Sequence, residues 1–169
     1  RPGRRMLREH LPRLRHEHDA IIVNCENAAG GKGVTPDIVA EILDLGADAL
    51  TSGNHIWANR DVFAIIDEEP RLLRPANFPA GEQIPGRGAG VFTLANGTKL
   101  GVANLLGRVF MKPIDCPFRV GRAVVERLRA ETPLVVVDMH AEATSEKRAL
   151  ACMLDGAATA VIGTHTHVQ

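Results

Sequence analysis

Four apolar runs that break off in Glu, Asn or His constrain this chain more than any other feature. The first lies in residues 21–33. There Ile21, Ile22 and Val23 lead through Asn24 and Cys25 to Glu26 and Asn27, and then to Gly30, Gly31 and Gly33. Such a pattern predicts a short buried strand followed by a glycine-rich loop. Residues 49–55, 134–140 and 160–167 repeat the plan, ending at Asn54-His55, at His140 and at His165-Thr166-His167. In open α/β sheets, chemistry collects where loops leave the carboxyl ends of strands. If these strands are parallel neighbours, their ends share one edge, with Glu26 at its centre as a bridge between metals.

The segments between them read as helices and one hairpin. Met6, Leu7, Leu11 and Leu14 recur at helical spacing, which predicts a helix over 4–18, kinked or restarted at Pro12. Thr35 suits an N-cap, Pro36 the first helical position and Gly46 the stop, so a helix is expected over 36–45. Further helices are expected over 60–67, stopped by Pro70, over 118–129 and over 145–154. Residues 72–85 read as a short strand running into a loop, and 107–117 as a loop lying over a site. Asn96-Gly97, between 90–95 and 98–105, is a strong hairpin signal. Strands are expected at 20–24, 48–51, 133–138 and 159–163. Helix and strand alternate around the inserted hairpin, which predicts α/β layers: a mainly parallel sheet, an antiparallel section and covering helices.

Composition excludes several classes. A chain of 169 residues, 45% apolar and 24% charged, is expected to form one globular domain over 1–169 with a real core. Its formal net charge of zero argues against an extended nucleic-acid surface or a polybasic membrane patch, while leaving room for one nucleotide in a cleft. No apolar run nears the ~20 residues of a membrane span. Cys25, Cys116 and Cys152 are odd in number and lack metal spacing, which argues against a disulfide framework and for a cytoplasmic place. Asn96-Gly97-Thr98 matches a glycosylation sequon, but in that compartment it is a turn. The chain opens without Met and stops just after His167, so both ends are expected to be cuts into a longer protein.

The candidate ligands differ in kind. His165 and His167 stand at i and i+2 after Gly163, and two such imidazoles can reach one metal or two. His140 follows Val135, Val136 and Val137, so it should emerge at the sheet rim. Strand alternation puts Asp138 on its face, where it could orient the ring. Asn54 offers an amide oxygen suited to a hard cation, and His55 beside it could face a substrate instead. Glu26-Asn27 adds a carboxylate, the anionic bridge that two metals need to offset their repulsion. Taken singly, His140 fits a satisfied rim histidine equally well, Gly53-Asn54-His55 a turn, and Glu26 an ordinary rim acid. Coincidence at strand ends is what favours a metal. Gly33 stands where a Walker loop requires Ser or Thr after its Lys, so residues 30–33 read as a turn into a helix cap, not as a phosphate loop.

Gly53-Asn54-His55, His140 after an apolar strand and His165-Thr166-His167 resemble the calcineurin-like binuclear metallophosphoesterases. Glu26-Asn27 followed by Ala28, Ala29, Gly30 and Gly31 is more particular and resembles the YmdB-like 2′,3′-cyclic-nucleotide phosphodiesterases. The resemblance runs through residues 24–33, 51–57, 137–142 and 163–169, in the same order.

That resemblance implies a four-layered α/β/β/α metallophosphoesterase sandwich with two metal ions, iron first, with manganese or zinc as alternatives. Carried over residue by residue, Glu26 bridges the metals, and Asn27, Asn54, His140 and His165 hold one of them. His167 holds the other, and His55 is the proton donor. The implied reaction is hydrolysis of a phosphodiester, in particular a 2′,3′-cyclic nucleotide to the 3′-nucleotide, by a metal-bridging hydroxide with His55 as general acid. The implied partner is that small molecule, with no membrane, and homo-oligomerisation stays open. In the family a Gly-Asp precedes this chain's start and further strands follow its end. The chain is therefore expected to lack one carboxylate ligand beside His167 and part of the sheet, and to turn over poorly by itself. Two rivals remain: a non-catalytic metal-stabilised regulatory scaffold, and a mononuclear metallohydrolase of another substrate.

Overall fold

The computed structural model describes residues 2–79 and 83–168. Pro2–Glu17 is one uninterrupted helix, α1, with Pro12 inside it, so the expected restart does not occur. Proline removes one backbone hydrogen bond there, but packing and ion pairs hold the helix on both sides of it. Leu11 is buried, Arg8 Nε lies 2.6 Å from Glu41 Oε1, and Arg15 Nη1 lies 2.6 Å from Asp48 Oδ2.

Strand β1 (Ile22–Asn24), helix α2 (Pro36–Asp44) and strand β2 (Ala49–Thr51) follow, and the two strands pair in parallel with Ile22 opposite Ala49. Thr35 occupies the N-cap of α2 without a side-chain capping bond, and Pro36 takes the first turn. The helix expected over 60–67 is instead a short 3₁₀ helix, Arg60–Ala64. Its turn is tightened by Asn59 Oδ1, which accepts the Asp61 N–H at 2.9 Å, and Phe63 leans out to stack on Trp57 at 5.1 Å. Leu72 and Leu73 form isolated parallel bridges to Leu50 and Arg87, where a short strand was expected. Residues 80–82 of the loop after it lie outside the described residues.

The hairpin forms as its turn residues predict. Gly97 takes φ +81° and Leu94 N–H donates to Thr98 O at 2.8 Å, joining β3 (Ala89–Thr93) to antiparallel β4 (Lys99–Leu106). Helix α3 (Pro117–Arg129), strand β5 (Val135–Ala141), helix α4 (Thr144–Met153) and strand β6 (Ala160–His165) complete the order. The larger sheet runs β3-β4-β5-β6, with β4, β5 and β6 mutually parallel. Gly121 lets α3 close on β4, since a Cβ there would lie 2.7 Å from Leu105 Cδ1.

Strand alternation divides neighbouring residues among three cores and so builds four layers. Val23 and Leu50 face Leu11, Ile38, Val39 and Ile42 of the first helical layer. Ile22 and Ala49 turn the other way and meet Leu100, Val102 and Val136 between the sheets. Ala103, Val137 and Met139 point outward to Val125, Leu128 and Leu150 of α3 and α4. Each fully buried Leu, Ile or Val contributes ~1.5–3 kcal/mol relative to exposure. Among the described residues, no helix is long and apolar enough to cross a membrane.

Candidate metal centre

The carboxyl ends of both sheets meet at one place. Cys25 N–H donates to Thr51 O at 2.9 Å, which prolongs the β1–β2 pairing by a residue and delivers Glu26 to the inter-sheet edge. Burial pushes the Cys25 thiol up to about 12, so it is a packed, protonated group. In the larger sheet Leu106 is the register partner of His140, and Ala141 that of His165. His140 belongs to β5 itself rather than to the loop beyond it.

Three electron-pair atoms crowd around His140 Nε2. Glu26 Oε1, Asn54 Oδ1 and His165 Nδ1 each lie 3.0 Å from it. A single ring proton can serve one of these partners, so ordinary hydrogen bonding does not explain the convergence. Neighbouring ligands about 3 Å apart are what an ion with bonds of ~2.0–2.1 Å at right angles requires. Glu26, His140 and His165 also have ligand atoms that all lie within 4.8 Å of one another. Gly53 forms the wall of this cluster, and a Cβ there would collide with the His140 ring and the Glu26 carboxylate. These residues fit a metal ion.

Three of these candidate ligands, Glu26, His140 and His165, are held from behind. Glu26 is 1% exposed. Burial works against its charge, but the bond and charge of His140, with the His55 N–H at 3.1 Å, hold its carboxyl below the ordinary range. His140 Nδ1 meets Thr164 Oγ1 at 2.9 Å, and that hydroxyl donates to Asp138 Oδ1 at 2.6 Å. Asp138 Oδ2 in turn accepts from Thr51 Oγ1 at 2.6 Å and Asn24 Nδ2 at 3.0 Å. Asp138 thus reaches His140 through Thr164, and when the ring is neutral this relay holds the proton on Nδ1 and leaves the Nε2 lone pair for a ligand position. Burial pushes the Asp138 carboxyl up, against the pull of the hydrogen bonds from Thr164, Thr51 and Asn24. His165 is arranged in reverse: Nδ1 faces the cluster, and Nε2 pairs with Glu142 Oε2 at 3.0 Å. Burial, then the nearby His140, lowers its pKa, the direction that favours the neutral ring a ligand needs.

A second group lies beside the first. The Asn27 amide sits between His55 and His167, with Oδ1 3.3 Å from His55 Nδ1 and Nδ2 3.3 Å from His167 Nε2. His55 Nδ1 is also 3.7 Å from Glu26 Oε1, so the Glu26 carboxylate borders both groups. Asn27 makes its contacts with His55 and His167, while Asn54 sits with His140. A cavity of about 560 Å³, lined by Arg4, Asn24, Glu26, Asn27, His140 and His167 among others, opens here. His165 and His167 hold left-handed backbone, φ +91° and +56°, conformations that cost energy for a residue with a Cβ and cluster at functional sites. Residues 30–33 form a folded turn, with Gly30, Gly31 and Gly33 at positive φ and Ala29 N–H bonded to Gly33 O at 2.9 Å.

Sequence reasoning missed Thr164, Thr51 and Asn24 as supports. A Thr in an apolar strand reads as an ordinary strand former, and only the buried acid Asp138 hinted that partners must exist.

The model of the YmdB-like protein family matches residues 1–169. The chain is 48% identical to the 2′,3′-cyclic-nucleotide 2′-phosphodiesterase of Bacillus subtilis (strain 168) over 170 residues, covering 99% of this chain and 63% of that one. A solved hypothetical protein from Thermus thermophilus superposes with a TM-score of 0.87 at 43% identity, covering 99% of this chain and 64% of the other. A solved novel phosphatase from Mycoplasma pneumoniae also gives 0.87, at 34% identity, covering 98% and 60%. The chain therefore spans less than two thirds of the length of these relatives. It belongs to the YmdB-like protein family.

Proposed function

We propose that this chain carries the centre of a metal-dependent phosphodiesterase whose substrate is a 2′,3′-cyclic nucleotide. The observation that carries the reading is the convergence of Glu26 Oε1, Asn54 Oδ1 and His165 Nδ1 on His140 Nε2, each at 3.0 Å. The 48% identity to the Bacillus phosphodiesterase supports the substrate class.

In this reading Glu26, Asn54, His140 and His165 would hold one metal ion. Glu26 and His167 would hold a second ion, and Asn27, expected on the first ion, lies beside His55 and His167 instead. Metal ions so held polarise phosphoryl oxygens and lower the pKa of an attacking water. Iron, manganese and zinc all accept this mixture of imidazole and carboxylate. His55 is the proton donor. Its Nδ1 is anchored by Asn27 Oδ1, which leaves Nε2 for the substrate. As the water oxygen bonds to phosphorus, the bond to the ribose 2′-oxygen breaks, and His55 Nε2 gives that oxygen its proton. Asn27 and the Glu26 edge keep the ring in place during the transfer. The three free cysteines support a reducing, cytoplasmic setting.

The test uses the protein at its full natural length, metal-loaded, with 2′,3′-cyclic mononucleotides. The 3′-nucleotide should be the product. His55→Ala should lower turnover by ~10²–10⁴-fold, the usual worth of a positioned proton donor, at unchanged metal content. Loss of metal together with activity would make His55 a ligand and overturn its role. Among the described residues, one group of three His, Cys, Asp or Glu side chains is close enough to hold an ion, which is the observation that favours a mononuclear rival. A stoichiometry of one ion per chain at full activity would establish that rival.

A further inference from the structure

We propose that Phe110 is the nucleobase-stacking residue of this site, a role that rests on the cyclic-nucleotide reading above. Among the described residues, three non-glycine positions take positive φ: His165, His167 and Phe110, the last at +62°. The two histidines belong to the metal-centre groups. Phe110 carries the same backbone mark without a role in holding metal.

Its surroundings are equally unusual. The chain has five phenylalanines. Phe63 and Phe78 pack on Trp57, and Phe92 and Phe118 pack against the cores. Phe110 is 89% exposed. A bare aromatic ring in left-handed backbone gains nothing for the folded chain, and such a conformation persists only where its surroundings over-determine it.

Here they do. The loop of residues 107–116 is fixed at both ends by buried groups. Asn77 accepts the Leu106 N–H at 2.8 Å and donates to Leu106 O at 2.7 Å and to Asp115 O at 2.9 Å. The buried Glu146 carboxylate accepts the N–H groups of Arg108 at 2.9 Å and Val109 at 3.3 Å. The loop springs from the metal centre's own backbone, because Gly107 N–H donates to His140 O at 2.9 Å. Phe110 is three residues further, so it stays within ~11 Å of that point along the chain. A compact loop with joined ends and an exposed tip is a common functional device.

The ligand chemistry follows from what the metal-centre groups leave unread. Glu26, Asn54, His55 and the histidines address a phosphate and its leaving oxygen, which are alike in every cyclic diester. Telling a nucleoside from another diester requires contact with the base. A rigid exposed ring supplies it by stacking, which tolerates all bases because each has a π-face. Arg108 and Lys112, exposed and two positions to either side of Phe110 in sequence, suit an anionic ligand.

The test compares the full-length, metal-loaded protein with its Phe110→Ala and Phe110→Trp variants. Substrates are 2′,3′-cyclic AMP and glycerol 1,2-cyclic phosphate, which has the same phosphate ring and no base. Phe110→Ala should raise KM for the nucleotide by ~5- to 100-fold, the range expected from one lost stack, and leave kcat unchanged. Glycerol cyclic phosphate should show no change, and Phe110→Trp should restore the nucleotide KM. An unchanged KM, or an equal loss on both substrates, overturns the stacking role. If the unaltered protein hydrolyses neither substrate, the reaction proposed above fails separately. Binding of 3′-AMP against inorganic phosphate then decides the stack: weaker 3′-AMP binding by Phe110→Ala alone supports it, and equal binding overturns it.

Discussion

Both nitrogens of the His140 ring are committed, Nδ1 to Thr164 Oγ1 at 2.9 Å and Nε2 to the ligand cluster. Thr164 fixes which nitrogen keeps its lone pair, and Asp138 fixes Thr164. Thr164→Val keeps the side chain's shape and removes the hydroxyl, so the ring loses its preferred tautomer and orientation. Metal affinity should then fall by ~10–100-fold, as it does when outer partners of a ligating imidazole are removed. Thr164→Ser should bind metal nearly as well as the unaltered protein. Competition with a chromophoric chelator reads this without any turnover, and equal affinity in Thr164→Val would show that the relay does not position the ring. At this scale the sequence was most legible where chemistry demands a rare residue type. Glu26, His140 and His165 stood out together, because acids and imidazoles that coincide at the ends of several apolar runs favour a shared ion, although Glu26 and His140 taken singly read as rim residues. Thr164 did not, because threonine is at home in any strand.

Among the elements, legibility followed the strength of the periodic signal. The hairpin around Asn96-Gly97 and the parallel strands were clear, because turn chemistry and buried runs act locally. The 3₁₀ turn of Arg60–Ala64 was not, because the Asn59 side chain that caps it through the Asp61 N–H leaves no mark in the apolar period. Pro12 inside α1 is a second case: the buried Leu11, with the pairs of Arg8 to Glu41 and Arg15 to Asp48, holds a helix that local rules would break. Asn77 shows the same dependence on distant partners. It lies in an irregular segment, yet its fully buried amide serves Leu106 and Asp115 together. Asn77→Ala leaves the Leu106 N–H and two carbonyls without that partner at the end of β4. A buried group left unpaired costs ~1–3 kcal/mol, so the urea midpoint should drop accordingly. A midpoint within error of the unaltered protein would mean that water replaces the amide and that the loop ends are not clamped by it.

On the scale of the whole molecule, the proposed ion would join the two sheets. Glu26 and Asn54 come from the β1–β2 side, His140 and His165 from β5 and β6. Across the same boundary the protein itself supplies hydrogen bonds: Asn24 and Thr51 to Asp138, and Ser52 N–H to Asn104 Oδ1 at 3.1 Å. An ion that binds only when both sheets are in place stabilises the folded state by mass action, ~2.7 kcal/mol at a hundredfold excess over Kd. For a chain of this size each kcal/mol moves the melting midpoint by ~2–4 °C, so chelation should lower it by about 5–10 °C. Glu26→Gln should remove most of that metal-dependent part, because the amide cannot supply the anionic charge that a cation in a buried site requires. Thr132, which is buried far from the centre and bonds to Lys99 O at 2.7 Å, provides the control. Thr132→Val should lower the midpoint equally with and without chelator. Scanning calorimetry of the full-length protein at matched metal concentrations measures all three. A midpoint indifferent to chelator in the unaltered protein would mean that the sheets close without a shared ion, and would remove the structural reason for gathering Glu26, His140 and His165 at one point.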